Sequence, residues 1–169
     1  SGLNLTASYI NASDAVTDVS YSDFGVTYTG MDGLTIGYGT GDVENVTNTK
    51  STESTLFAKY AMGSITVGMQ KNEKDAETGT DTESTGIGIS YQVNDDLTVS
   101  YGTNTLEKSG SDDQEAQAIG ISYTMGSLGI ALSMNSVDNI ANSANNDREA
   151  YQLGLSLSLI HISEPTRPF

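Results

Sequence analysis

The chain has 169 residues, with 22 Asp and Glu against 7 Lys and Arg, so it carries a formal net charge of −15 and has room for one domain or two small ones. It has no cysteine and one histidine, which excludes disulfides, thiolate metal sites and cysteine nucleophiles. Binding to the phosphates of a nucleic acid needs a basic surface, so no nucleic-acid partner is expected for a chain this acidic. No apolar run is long enough for a transmembrane helix, and the first residues do not resemble a signal peptide.

Apolar residues alternate with small polar residues along most of the chain, which is the period-two pattern of a β-strand with two different faces. Ten such stretches occur, and they predict an all-β fold. Their apolar members are, in chain order, Leu3, Leu5, Ala7 and Tyr9; Phe24, Val26 and Tyr28; Leu34, Ile36 and Tyr38; Leu56, Ala58 and Tyr60; Ile65, Val67 and Met69; Ile87, Ile89, Tyr91 and Val93; Leu97, Val99 and Tyr101; Ile119, Ile121, Tyr123 and Met125; Leu128, Ile130, Leu132 and Met134; and Tyr151, Leu153, Leu155 and Leu157.

Short and long connections alternate between these strands. Tight hairpin turns rich in Gly, Asn and Asp are predicted at residues 30–33, 63–64, 94–96 and 126–127. Long, acidic connections are predicted at residues 11–23, 41–53, 74–83, 108–113 and 138–148. All tight turns therefore lie at one rim of the sheet and all long loops at the other, as in an antiparallel up-and-down meander.

The second face of the predicted strands consists of Thr, Ser, Gly, Asn and Gln, and Lys59 is the only charged residue well inside a strand. Nearly all of the formal charge is predicted to lie in the long connections. A charge-free band between charged loops is typical of strands that contact lipid, where a Lys or Arg at the midplane costs about 2 to 4 kcal/mol. Because every strand edge in a bilayer must be paired, the meander is predicted to close into a transmembrane β-barrel.

The polar phase of the strands is predicted to line a water-filled interior. Phe57 falls in that phase and departs from its polar character. The candidate pore-lining residues are Lys59, Thr66, Gln70, Ser90, Gln92, Ser100, Ser122, Thr124, Ser133 and Ser156. The acidic loops at the mouth are expected to favour cations at low salt, because a rim of one sign concentrates counter-ions.

Four tyrosines lie in the apolar phase at a fixed position before the tight turns. Tyr28, Tyr60, Tyr91 and Tyr123 precede these turns by two or three residues, at spacings of 32, 31 and 32. A row of this kind is typical of the aromatic girdle at a membrane interface. The alternative is that tyrosine is simply a good strand former, although propensity does not explain the fixed offset.

A soluble alternative has to be weighed against the membrane barrel. A secreted acidic β-sandwich, acting as an adhesin or binding module through its long loops, would bury the Leu, Ile and Tyr face in a core. A barrel would instead expose that face to hydrocarbon. The two hypotheses therefore differ in whether the protein needs detergent in solution.

The hairpins at residues 25–38 (GVTYTGMDGLTIGY) and 88–101 (GISYQVNDDLTVSY) resemble those of Gram-negative outer-membrane porins, especially the alphaproteobacterial type. The stretch at residues 149–157 (EAYQLGLSL) is similar to their last strand. The resemblance implies homotrimers of barrels of about 16 strands in the bacterial outer membrane, which pass small hydrophilic solutes and ions. It also implies that residues 1–158 correspond to strands seven to sixteen, without the constriction loop, so no constriction residues are assigned.

Residues 159–169 are a different kind of sequence. The only histidine, His161, and both prolines, Pro165 and Pro168, lie in this stretch. It resembles a translated sequencing adapter more than a strand. We therefore expect residues 159–169 to be non-native and to take no part in the fold.

The sequence contains no motif for catalysis. It lacks a phosphate-binding loop, a nucleophile elbow and a His-Glu-x-x-His pair, so no enzymatic activity, cofactor or metal site is expected. The ten strands form either a closed barrel or a curved open sheet, and we favour the closed barrel because an open sheet leaves a ladder of hydrogen bonds unpaired at each edge.

Overall fold

A computed structural model describes residues 2–10, 19–44 and 49–157. Within these residues the chain forms ten strands and one short 3₁₀ turn, Ile140–Asn142. The strands are β1 Leu3–Ile10, β2 Ser20–Tyr28, β3 Leu34–Glu44, β4 Lys50–Met62, β5 Ile65–Ala76, β6 Thr82–Gln92, β7 Leu97–Lys108, β8 Gln114–Met125, β9 Leu128–Asp138 and β10 Arg148–Leu157. In this part of the chain no helix is long and apolar enough to cross a membrane.

Each strand pairs in antiparallel fashion with the next one along the chain, which gives a single ten-stranded sheet in sequence order. This confirms the predicted up-and-down meander. The tight turns have the chemistry that their sequences predict. Gly63 and Gly126 adopt positive φ values of 57° and 60°, which glycine tolerates best. The Asn94 side chain accepts hydrogen bonds of 2.9 Å from the backbone N–H groups of Asp96 and Leu97, which closes an Asx turn.

The strands extend further toward the long loops than predicted. β3 and β4 reach Glu44 and Lys50, whose charged groups lie 3.6 Å apart across the strand pair. β5 continues past Met69 to Ala76. The prediction that nearly all charge lies in the long connections is therefore wrong. The ladder continues because opposed polar and oppositely charged side chains stabilise a strand pair as apolar pairs do.

The register places the apolar and polar phases on opposite faces of the sheet. Ile121 pairs with Val99 on β7 and Leu132 on β9, and direct cross-strand partners share a face. The predicted apolar residues of all ten strands lie on this face, except Val93, which follows the end of β6, whereas the predicted polar residues lie on the other face. Among the described residues no hydrophobic side chain is buried, so the sheet has no second layer packed against its apolar face.

The polar face is concave. Three cavities of about 360, 510 and 550 Å³ open on it, and the largest is lined by residues from Lys59 on β4 to Ser133 on β9. One depression that reaches across six strands requires the sheet to curve around it. We call this side the concave face and the apolar side the convex face.

The sheet is not a closed ten-strand barrel. The pairing runs from β1 to β10 without a β1–β10 pair in the described residues, so the expectation of closure is wrong. Strand number, tilt and diameter are linked in a barrel, and ten strands would need tighter curvature than a barrel of about 16. Within the described residues, β1 and β10 are instead the two edge strands of the sheet.

Candidate solute-facing wall and convex face

The predicted pore-lining residues all lie on the concave face. Their registers connect them strand by strand, as in the pairs of Thr66 with Ser90 and of Ser90 with Ser100. The full set comprises Lys59, Thr66, Gln70, Ser90, Gln92, Ser100, Ser122, Thr124, Ser133 and Ser156. The concave face is therefore a continuous wall of hydroxyl, amide and glycine positions, which can donate and accept hydrogen bonds to water and polar solutes.

Phe57 lies on the concave face with the polar residues of β4, although its side chain is apolar. It faces Gly37 directly across the β3–β4 pair, and a Cβ added at Gly37 would collide with the Phe57 ring. The ring therefore covers the space that the missing side chain leaves, and Gly37 is buried beneath it. Covering of a strand glycine by a cross-strand aromatic ring stabilises the pair, so Phe57 acts on the packing of the wall and does not shift its phase.

The concave face also carries charges that the sequence reasoning missed. Lys74, Lys108 and Arg148 lie near the long-loop rim, in the polar phase of β5, β7 and β10. Lys74 faces Glu53 across the β4–β5 pair, with Nζ 3.0 Å from a carboxylate oxygen. These residues were assigned to loops or loop borders because hydropathy does not alternate there. Extending the period-two phase through the charged stretches would have found them.

The four girdle tyrosines lie on the convex face, at or within two residues of the strand ends that precede the tight turns. Tyr91 pairs with Ile65 and Val99, and Tyr123 pairs with Leu97 and Ile130. All four are partly exposed, between 38% and 45%. An interfacial aromatic row has rings beside apolar neighbours in this way.

The convex face changes character from the tight-turn rim to the long-loop rim. Apolar residues occupy the half near the tight turns, and carboxylates occupy the other end of the same strands. Lys71 lies among them, with Nζ 2.6 Å from Glu73 and 3.0 Å from Glu83. The strand carboxylates on this face are Asp42, Glu44, Glu73, Asp75, Glu83, Glu107, Glu115, Asp138 and Glu149.

The connection between β9 and β10 is anchored to neighbouring strands at the long-loop rim. The Asn142 amide donates a 2.8 Å hydrogen bond to the Leu106 carbonyl on β7. Asn139 donates to the Asp113 carbonyl at 2.9 Å, and the Gln114 side chain accepts from the Ala141 N–H at 2.9 Å. The asparagines suit this path because they tolerate positive φ, which Asn139 and Asn142 adopt.

An acidic crevice of about 480 Å³ opens at the same rim, between the β5–β6 and β7–β8 connections. Its lining includes Asp75, Asp81, Glu107 and Asp113. In the part of the chain that the structure describes, no His, Cys, Asp or Glu residues are grouped as a metal site would require.

Solved outer-membrane proteins share this architecture. The chain superposes on a loop L8 deletion mutant of OmpT from Vibrio cholerae with a TM-score of 0.59 and 14% identity, over 93% of this chain and 59% of that one. In vitro folded OmpT of the same organism gives a TM-score of 0.57 and 13% identity, over 92% and 59%. OmpT expressed in the outer membrane gives 0.59 and 14%, over 92% and 61%. At this identity the likeness shows the fold, and the chain spans about three fifths of the length of these structures.

Sequence comparison identifies the family of the chain. A search of curated proteins gives no match. The Gram-negative porin family matches residues 1–120, well over half of the chain. The match and the outer-membrane structural neighbours place the protein in the outer membrane. An all-β meander with a polar concave face and an apolar convex face is what such a location requires, and the chain belongs to the Gram-negative porin family.

Proposed function

We propose that these strands form part of a water-filled channel through which small hydrophilic solutes and ions diffuse passively, without catalysis or a cofactor. One observation carries the proposal: the sheet presents a polar concave face and a convex face whose hydrophobic side chains are not covered by any other described part of the chain. In water such a face would be costly at about 25 cal/mol per Å². In a bilayer it contacts outer-membrane lipid, and the polar wall encloses water.

The same observation argues against the soluble adhesin or binding module. A β-sandwich would pack the Leu, Ile and Tyr face against a second sheet. Instead, convex residues such as Ile89 and Ile121 are 45% and 40% exposed. If the complete protein were monodisperse in buffer without detergent, the pore proposal would be wrong.

The position of β1 and β10 as edge strands of the described sheet supports a larger barrel. We infer that further strands of the complete protein pair with these edges and that residues 1–158 supply ten strands of a porin of about 16. The structural neighbours, of which the chain covers 59% to 61%, are long enough for this arrangement. We also propose the alphaproteobacterial type, from the hairpins at residues 25–38 and 88–101, and a homotrimeric assembly.

The proposed function is tested by recording the complete porin in planar lipid bilayers. Stable conductance steps that scale with bulk salt conductivity are expected of a water-filled pore. Swelling of liposomes in small sugars should follow solute size. Protein that inserts and folds without steps or swelling would contradict the proposal. Chemical cross-linking in mild detergent tests the trimer separately.

Residues 159–169 lie outside the described residues. We propose that they belong to a foreign sequence, because their histidine and prolines break the composition of the strands before them. Sequencing the genomic locus tests this. A native reading frame that encodes His161, Pro165 and Pro168 would contradict it.

A further inference from the structure

The charges of the sheet are sorted by face. Most strand carboxylates lie on the convex face near the long-loop rim. Among the described strand residues, the only carboxylates on the concave face are Asp23 and Glu53. From β5 to β10 the concave face has no carboxylate in the described strands. The charges of this region are the cations Lys74, Lys108 and Arg148, and the fourth concave cation, Lys59, lies next to it on β4. Although the chain as a whole is acidic, most of the charged residues on its concave face are therefore cationic.

Lys59 differs from the other three cations by its depth. It lies six residues from Glu53 along β4, about 20 Å at about 3.3 Å per residue, and the strand continues beyond Glu53 to Lys50 at the long-loop rim. It is exposed and forms no ion pair or hydrogen bond with the described residues, whereas Lys74 is neutralised by Glu53 at 3.0 Å. Lys59 lines both of the larger concave cavities.

The wall beside Lys59 leaves its charge open to a passing solute. Its cross-strand partner on β5 is Gly68, which pairs in turn with Gly88, and Gly88 pairs with Gly102. No side chain from these three positions covers the ammonium group. Glu53 and the carboxylates at the mouth beyond it do not neutralise it either, because the Debye length at 0.1 M salt is about 10 Å, half the distance to Glu53.

We propose that Lys59 is a selectivity-determining residue that favours small anions over cations in the lumen. The inference rests on the proposed pore function, because it assumes that solutes pass along the concave face. The acidic loops concentrate cations at the mouth at low salt, and Lys59 opposes that preference deeper in the channel. Lys59 therefore favours the passage of anionic solutes such as inorganic phosphate or small carboxylates.

The test is the reversal potential of the complete porin in a KCl gradient centred near 0.1 M. Lys59→Gln is expected to lower the chloride-to-potassium permeability ratio about two- to threefold. A unit charge about 7 Å from the ion acts on chloride and potassium with opposite sign, and screening at 0.1 M salt roughly halves each effect. Lys59→Glu should lower it further, and Lys59→Arg should leave it unchanged. Lys50→Gln is the matched control, because it removes the same charge from the convex face.

The outcomes separate the inference from the proposed function. Stable steps with equal selectivity in the unsubstituted porin, Lys59→Gln and Lys50→Gln would overturn the inference alone. An unsubstituted porin that folds but gives no steps would overturn the proposed function and the inference with it. Heat-modifiable mobility on electrophoresis verifies that each variant is folded, and Lys59→Arg tests the charge separately from the glutamine side chain.

Discussion

At the residue scale, the Phe57 ring on β4 packs over Gly37 on β3, because glycine has no side chain that would displace the ring. We expect Gly37→Ala to destabilise the folded barrel by about 1 to 3 kcal/mol, since the new methyl must displace a packed ring. Urea unfolding in detergent or vesicles measures this. Gly88→Ala is the control, because a Cβ there meets only the Tyr101 carbonyl at 3.7 Å.

A double-substitution cycle distinguishes ring displacement from a general intolerance of alanine at Gly37. With Phe57→Ala already present, Gly37→Ala should cost little, because nothing remains over the position. Equal costs in both backgrounds would contradict the packing role. From the sequence, Phe57 is only an anomaly in a polar phase. The register that sets it against Gly37 depends on how β3 and β4 pair, which hydropathy does not encode.

The two faces can be distinguished at neighbouring residues of β8. Ile121 lies on the convex face and Ser122 on the concave face. Ile121→Arg should destabilise folding into vesicles by about 2 to 4 kcal/mol, as for a cation at the midplane, and Ser122→Arg should cost much less. The same reasoning covers the other mid-strand convex residues, Val67, Ile89, Ile130 and Leu153. A large cost for Ser122→Arg with none for Ile121→Arg would reverse the face assignment.

At the element scale, the pairing of β5 with β6 near the long-loop rim depends on ion pairs. Glu73 and Glu83 face each other directly, Glu83 also faces Glu107, and Lys71 bridges the first two. Like charges directly opposite each other destabilise a strand pair. Lys71→Gln should therefore speed amide hydrogen exchange at residues 71–76 and 82–85, with less effect in high salt. Unchanged exchange at low salt would contradict this role, and Lys50→Gln on the neighbouring hairpin serves as the control.

The limits of sequence prediction follow from the same elements. The apolar halves of the strands were predicted because their alternation is a local property, as at Ile65, Val67 and Met69. The continuation of β5 through Lys71 to Ala76 was not, because those residues form a strand through cross-strand ion pairs whose partners lie on β4 and β6. The candidate wall was found wherever polar residues alternate with apolar ones, and its rim cations were missed where that alternation ends.

At the scale of the whole molecule, the two open edges determine what these strands can do alone. Closure requires that strand number, tilt and stagger agree, and aqueous channels belong to barrels of about 16 to 18 strands. β1 and β10 do not meet within the described residues, so each edge offers a row of backbone donors and acceptors to another chain. In a bilayer those groups have no water to satisfy them.

We therefore expect that the 169-residue chain, refolded into planar bilayers, gives no stable conductance steps as large as those of the complete porin. Unpaired edges favour association of copies through their edge strands, so light scattering in detergent should show large, heterogeneous assemblies. The complete porin under identical refolding conditions is the control. Steps of parent size from the 169-residue chain would mean that ten strands suffice, either by closing tightly or by pairing between copies, and cross-linking would show which of the two occurs.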